Sequence, residues 1–363
     1  MESDHVRGDA ATSFCKRAQC RHGAARYGVH RWGLRHVTGA ISSRRDGHVP
    51  VLLPEVLDHL APRDGALYCD GTFGAGGYSA ALLDAARTRV VGIDRDPDVQ
   101  VHADRLGQRF PGRFTFLRGR YGSMDEALAE AGLEGVDGGV VLDLGVSSMQ
   151  IDIPERGFSF SQDAALDMRM ERSGPTAADI VNEFSEADLG AIIRDLGEER
   201  FWRRVARAVA AARREAPIES TGQLAAIVRR VVPTAKDRID PATRTFQALR
   251  MFVNDELGEL ERGLDAAERI MADGARLVVV SFHSLEDRVV KVFLRQRSGG
   301  GARPSRHQPE TAETGPQATF TLITRKPVVP GEAECQANPR ARSAKLRAAV
   351  RTAAPAWAER AAA

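Results

Sequence analysis

The chain has 363 residues, 43% of them hydrophobic, with 51 Lys and Arg against 49 Asp and Glu. That length allows a large core and more than one domain. No apolar run approaches the roughly 18 residues of a membrane-spanning helix. Cys15, Cys20, Cys69 and Cys335 lack zinc-type spacing and read as free thiols in a reducing compartment, with no metal site. Net charge is only +2, yet residues 203–250 and 295–351 are rich in arginine and poor in acids. That unevenness suits a polyanionic partner, or a set of solvated helix faces.

Residues 1–47 are arginine-rich and irregular, without the apolar core of a secretory signal, and read as a basic, disordered extension outside the fold. Order begins near His48. Ala66–Cys69 reads as a buried strand, followed by Asp70-Gly-Thr-Phe-Gly-Ala-Gly-Gly-Tyr-Ser79 and then a helix. Further strands read at Val90–Ile93, Phe114–Leu117 and Gly139–Leu142, with a helix around Met124–Ala131. Strands alternating with helices imply a parallel α/β sheet. The next strand of this kind comes only at Arg276–Ser281. Between them lie a polar loop region from Pro154 to Pro175 and helical spacing at Ala177–Leu196, Arg200–Arg214 and Gln223–Val232, the last behind a Ser220-Thr221 cap. This reads as a helical domain inserted into the sheet domain. Asp240-Pro241 is expected to start one long helix, Asp as N-cap and Pro at N1. Its stripe is Phe246, Leu249, Val253, Leu257, Leu260 and Leu264. Residues 298–317 read as a loop, Thr319–Thr324 as a terminal hairpin strand, and the remainder as a basic tail. The boundaries drawn are 1–47, 48–152, 153–249, 250–330 and 331–363.

The 70–79 turn reads as a nucleotide-cofactor cradle. Glycines permit close backbone approach and positive φ, and a helix N-terminus leaves N–H donors free. A dinucleotide fingerprint would show G-x-G-x-x-G, whereas here Asp70 precedes Gly71, Gly74, Gly76 and Gly77. An acid there suits the amino group of S-adenosylmethionine and would repel a pyrophosphate. Asp94, ending the second strand, sits where an acid binds ribose hydroxyls. It does not distinguish that cofactor from NAD. Ligands of such sheets lie at the carboxyl ends of strands, which adds Asp143–Gln150 after strand four and Ser281–Arg288 after strand five. Asp143, Ser147, Ser148 and His283 are the candidates near a reacting centre. A structural capping role is the alternative for Asp143 and His283, and no residue is singled out as the base. Glu155–Met170 reads as a flap over the site or a packed linker.

Taken together, Asp70–Ser79, Ile93–Pro97, Leu142–Gln150, Glu155–Phe160, Leu166–Met170, Pro241–Arg250, Ser281–Arg288 and Asn338–Arg347 resemble, in order over residues 48–350, the RsmH/MraW family. Those are bacterial S-adenosylmethionine-dependent methyltransferases of the cytidine N4 amine in the decoding region of 16S rRNA. The resemblance implies a class I (Rossmann-like) methyltransferase sheet with an inserted all-helical domain, direct in-line methyl transfer, and a cytoplasmic setting. Its substrate is 16S rRNA in the small ribosomal subunit, and a homo-oligomer is left open. Carried over by motif, Gly76, Gly77 and Tyr78 line the methionine end, Asp94 the ribose and Tyr121 the adenine, and Asp143 and Gln150 complete the pocket. Tyr78 stands where the family usually has His, Ala75 where it often has Arg, Tyr121 where it has Phe, and Met149 where it has Pro. Arg203, Arg204 and Arg244 of the insert and Arg340, Arg342 and Lys345 near the end are the candidates for holding RNA phosphates. A nicotinamide oxidoreductase and a non-catalytic RNA-binding factor are the competing classes.

Overall fold

The structure, a computed structural model, describes residues 50–234, 240–300 and 316–357. The expectations for 1–47, for Cys15 and Cys20, and for most of the 298–317 loop lie outside those residues.

Seven strands form one sheet: β1 (Leu67–Asp70), β2 (Arg89–Asp94), β3 (Phe114–Arg118), β4 (Gly139–Asp143), β5 (Arg276–Ser281), β6 (Phe320–Leu322) and β7 (Lys345–Arg351), in the order β3-β2-β1-β4-β5-β7-β6. The first five are parallel, and β7 runs antiparallel between β5 and β6. This order, with the antiparallel β7, is the sheet that the resemblance to class I methyltransferases implies. Alternate residues of a strand point to opposite faces, and both faces are covered. Leu67, Cys69, Val91, Ile93, Val140, Leu142, Leu277 and Val279 share one cluster with α4 (Met124–Glu130), α11 (Glu256–Ile270) and α12 (Ser284–Arg297). Tyr68, Val90, Val141, Val278 and Val280 share the other with α1 (Leu53–Leu60), α2 (Gly77–Ala85) and α3 (Gln100–Arg109). Being buried on both sides is why these strands are continuous apolar runs. Each fully buried Val or Leu contributes about 1.5–3 kcal/mol.

Between β4 and β5 the chain makes the short α5 (Ser148–Asp152) and then a separate core from α6 (Ala177–Glu183), α7 (Glu186–Asp195), α8 (Trp202–Glu215), α9 (Thr221–Val231) and α10 (Thr243–Val253). Ile180, Leu189, Ile193, Val205, Val209, Leu224, Val228, Phe246 and Leu249 fill it. Capping boxes start α6 at Thr176 and α9 at Ser220. The 177–196 helical pattern divides at Phe184–Ser185, where Ser185 caps α7.

Two sequence expectations are corrected. The long helix after Asp240 is two helices, α10 and α11, parted at Asn254–Asp255, where Asp255 takes φ +49°. Its stripe serves two cores: Phe246, Leu249 and Val253 pack in the insert, Leu260 and Leu264 against the sheet. Asp240 is not the N-cap, which is Ala242, although its Oδ1 accepts from Ala242 N–H at 2.9 Å. Second, the stretch read as a basic tail carries the six-residue α13 (Glu332–Ala337) and β7, an interior strand. Leu346, Ala348 and Ala349 of β7 are fully buried. Arg347 alternates with Leu346 and Ala348 onto the other face, where Asp287 Oδ1 accepts from its Nε at 2.7 Å. The alternation hid among arginines, because long basic stems pack beside apolar neighbours. Among the described residues, no helix is long and apolar enough to cross a membrane.

Candidate active site

The glycine-rich turn is pinned to the strands on both sides of β1. Gly71 N–H donates to Val141 O and Phe73 N–H to Ile93 O, each at 3.0 Å. Gly76, the N-cap of α2, sits at φ +78°, where a Cβ would also meet the Phe73 ring at 2.7 Å. At Gly77 a Cβ would meet Pro50 Cγ at 2.3 Å, so the segment entering α1 crosses the start of α2.

Three carboxylates gather at the ends of β1, β2 and β4. Asp70 is fully buried; its Oδ2 accepts from Ser79 Oγ at 2.7 Å and its Oδ1 from Thr72 N–H at 3.3 Å. Burial pushes its carboxyl up to about 6, against those hydrogen bonds and with help from Asp94. Asp94 accepts from Gly74 N–H at 2.8 Å and Asp96 N–H at 2.9 Å. Burial raises it too, partly offset by those N–H groups. Asp143 is held by its backbone, whose N–H donates to Thr72 Oγ1 at 2.6 Å. Its buried Oδ1 has no hydrogen-bond partner. Burial, then the nearby Asp70 and Glu286, push this carboxyl well above the usual range. None of the three has an arginine or lysine in ion-pair contact among the described residues. Uncompensated buried carboxylates are costly, and a nest of them is a site for a cation from outside.

The other sequence candidates are placed as follows. Tyr78 turns its phenol into the core and donates to Val51 O, with burial raising its pKa, so only its backbone is left for a ligand. Tyr121 packs partly buried against the cluster under α4 and α11, in a short turn that Glu259 holds through Gly122 N–H at 2.8 Å. Gln150 is nearly fully buried: its Oε1 accepts from Ser147 N–H at 3.0 Å, and its Nε2 donates to Asp96 Oδ2 at 2.7 Å. That leaves one amide N–H for a ligand. Ser147 Oγ caps α5 by accepting from Gln150 N–H at 3.2 Å, and Ser148 Oγ accepts from Arg340 at 2.9 Å. Cys69 is buried in β1 and held as the thiol.

His283 caps α12, its Nδ1 accepting from Glu286 N–H at 3.4 Å. The proton therefore sits on Nε2, which lies 2.9 Å from Glu286 Oε1. It makes no hydrogen bond there, and the buried Nε2 is left without a hydrogen-bond partner. Glu256, His283 and Glu286 offer ligand atoms within 4.8 Å of one another. However, both Glu256 oxygens are taken by Arg250, at 2.7 and 2.8 Å, and a guanidinium there disfavours a cation. Sequence reasoning gave no role to Thr72, Ser79, Arg250 and Glu286, although all four lie inside the motifs that carry the resemblance.

Of the proposed phosphate holders, Arg203, Arg204, Arg244 and Arg342 are exposed. Arg203 lies over the Trp202 ring at 4.3 Å and Arg204 over Phe201 at 5.2 Å. Ser284 Oγ donates to Glu198 Oε2 at 2.6 Å, which brings the α7–α8 turn beside the loop after β5. Arg340 is spent on Ser148 and Asp152, and Lys345 lies 3.5 Å from Asp287. These two are less free than the sequence suggests.

Comparison with known proteins adds the family. A family model described as the MraW methylase family matches residues 45–352. A protein named ribosomal RNA small subunit methyltransferase H from Paramagnetospirillum magneticum is 61% identical over 310 residues, covering 85% of this chain and 97% of its own. One of the same name from Rhodospirillum centenum is 62% identical over 309 residues, covering 85% and 93%. Among solved structures, an rRNA methylase from Streptococcus thermophilus is 11% identical with a TM-score of 0.35, covering 84% of this chain and 99% of its own. With most of its length matched by that family model and by relatives above half identity, the chain belongs to the MraW methylase family.

Proposed function

We propose that this protein transfers a methyl group from S-adenosylmethionine directly to the N4 amine of a cytidine in the decoding region of 16S rRNA, acting on the small ribosomal subunit in the cytoplasm. The observation that carries the reading is the buried, unpartnered Oδ1 of Asp143 within a nest of carboxylates that no arginine among the described residues neutralises. The donor set fits this cofactor. Asp94 would hold the ribose, Asp70 and Asp143 would offset positive charge, and the Gly76–Tyr78 backbone would line the methionine end. Tyr121 supplies an aromatic face for adenine. The same acids would repel a pyrophosphate. Bound there, S-adenosylmethionine supplies an electrophilic methyl group.

The N4 lone pair of cytosine is delocalised into its ring, so an acceptor at an N4 proton favours the pyramidal, nucleophilic amine. Asp143 Oδ1 is that acceptor. Ser147 and Ser148 are occupied by α5 and Arg340, and the His283 tautomer presents a donor at Nε2. The exposed arginines on α8 hold the RNA backbone, leaving the base free to be drawn out of its stack.

The test is methyl transfer from labelled cofactor to small subunits lacking N4-methylcytidine, beside naked 16S rRNA, with nucleoside analysis. Label in N4-methylcytidine at one position supports the reading, and the preferred substrate shows whether folded RNA is needed. Label in another nucleoside overturns the substrate. Affinity for NADH with none for S-adenosylhomocysteine overturns the cofactor.

A further inference from the structure

Two stretches join the sheet to the insert: residues 153–176 on the way in, and the α10–α11 break on the way out. Both converge on one side chain. Asn254 is 3% exposed. Its Oδ1 accepts from Met170 N–H at 2.9 Å, and its Nδ2 donates to Met168 O at 2.7 Å and Arg250 O at 2.8 Å. Its backbone carbonyl accepts from Arg95 Nη1 at 3.0 Å.

Arg95 follows Asp94 directly, and its other arm touches the Met170 sulfur. Asp96, the next residue, pairs with the buried Arg156 at 3.0 Å. Arg156 in turn donates to Arg169 O at 3.0 Å and Met170 O at 2.9 Å. Residues 94–96 and 168–170 are thus one hydrogen-bonded body, and Asn254 is where the last insert helix is tied to it.

The tie holds unfavourable backbone. Met168, fully buried, has φ +66°, and Asp255 has φ +49°. Residues other than glycine persist there only where their surroundings over-determine them. One acceptor and two donors on a side chain of this length is an asparagine; aspartate has no donor and leucine has neither.

We infer that Asn254 is a positioning residue that couples cofactor occupancy beside Asp94 to the orientation of the insert, so that cofactor and RNA bind cooperatively. The inference rests on the methyltransferase reading above, with the insert as the RNA-holding part. A ligand that fixes Asp94 fixes Arg95 and Asp96 with it, and through Asn254 fixes the end of α10. By linkage, RNA seated on the insert tightens the cofactor by the same factor.

The test titrates S-adenosylhomocysteine into the full chain, alone and with saturating small subunits. The wild-type protein is expected to bind it about 5- to 20-fold more tightly with subunits present, within the usual range of such couplings. Asn254→Ala and the isosteric Asn254→Asp are expected to keep the affinity measured without RNA within about threefold and to bring the coupling factor close to one. A residue that only stabilises the fold would lower Tm and leave that factor intact, which overturns the inference. So does a wild-type factor of one. In the wild-type chain, S-adenosylhomocysteine alone is expected to slow amide exchange in residues 243–253; unchanged exchange there also overturns it, whether or not the variants fold. Absence of binding or of methyl transfer by the wild-type protein defeats the functional reading and this inference together. Binding and transfer with undiminished coupling in both variants defeat this inference alone.

Discussion

Buried acids occur in two settings in this molecule. Around the insert junction and the back of the sheet four acids lie against an arginine: Asp96 with Arg156 at 3.0 Å, Glu256 with Arg250 at 2.7 Å, Glu268 with Arg297 at 2.8 Å and Asp287 with Arg347 at 2.7 Å; the buried Glu199 and Glu286 accept backbone N–H groups instead. At the carboxyl ends of β1, β2 and β4, Asp70, Asp94 and Asp143 have hydroxyls, backbone N–H groups or nothing, and burial raises all three. A fold has no need of the second arrangement, which costs free energy wherever the acids ionise. On the function proposed above, the paired acids hold the scaffold and the unpaired ones meet the positive charge of the cofactor.

The sharpest test of that contrast is Asp143→Asn, which keeps the shape and removes the charge. Turnover at saturating cofactor and RNA is expected to fall by about 10²–10⁴-fold, the usual weight of a positioned acceptor, with an unchanged circular dichroism spectrum. Near-normal turnover in both Asp143→Asn and His283→Ala would falsify the assignment of the reacting centre. On the paired side, Arg297→Ala leaves the Glu268 carboxylate buried without its cation. It is expected to cost about 3–5 kcal/mol of stability, read by denaturant unfolding, while S-adenosylhomocysteine affinity at low temperature stays as it was. A large loss of that affinity without loss of stability would erase the distinction between the two settings.

Asp70 offers a pH test. Its carboxyl in the folded protein is raised to about 6, above its unfolded value. The folded state therefore binds more protons between the two values, and the stability of the ligand-free protein falls as pH rises towards 6. A cationic ligand reverses the preference, since it favours the ionised acid. S-adenosylmethionine is expected to bind about tenfold more tightly at pH 7 than at pH 5. Asp70→Asn flattens that dependence; a wild-type affinity that does not vary over this range excludes Asp70 from the charge balance. The smallest effect is expected at the surface. Arg203→Ala with Arg204→Ala should weaken RNA binding and reduce the slope of log affinity against log salt by about 0.7–0.9 per lost phosphate contact. S-adenosylhomocysteine binding should not change, and an unaltered salt slope would remove the start of α8 from the RNA surface.

Much of this was legible in residue order. The glycine-rich turn, the acids at the ends of three strands and the Ser220 cap are local signals, because a turn, a strand end and a helix start each depend on a few consecutive side chains. The interval between the fourth and fifth strands also announced an insertion, since helical spacing replaced apolar runs there. What escaped was non-local. The stripe from Phe246 to Leu264 has one period in sequence but serves two cores, and only the turn at Asn254–Asp255 separates them.

Sequence alone determined which chemical groups stand at the strand ends, and that three of them are acids. It could not determine which acids are neutralised, because Asp96 meets Arg156 and Glu268 meets Arg297 across 60 and 29 positions of chain. Nor could it show that Lys345–Arg351 is an interior strand, since its pairing with β5 joins residues as far apart in the chain as Arg276 and Val350. Charge compensation and sheet pairing are properties of distance in space. The tertiary structure decided both, and with them which acids are left for a ligand.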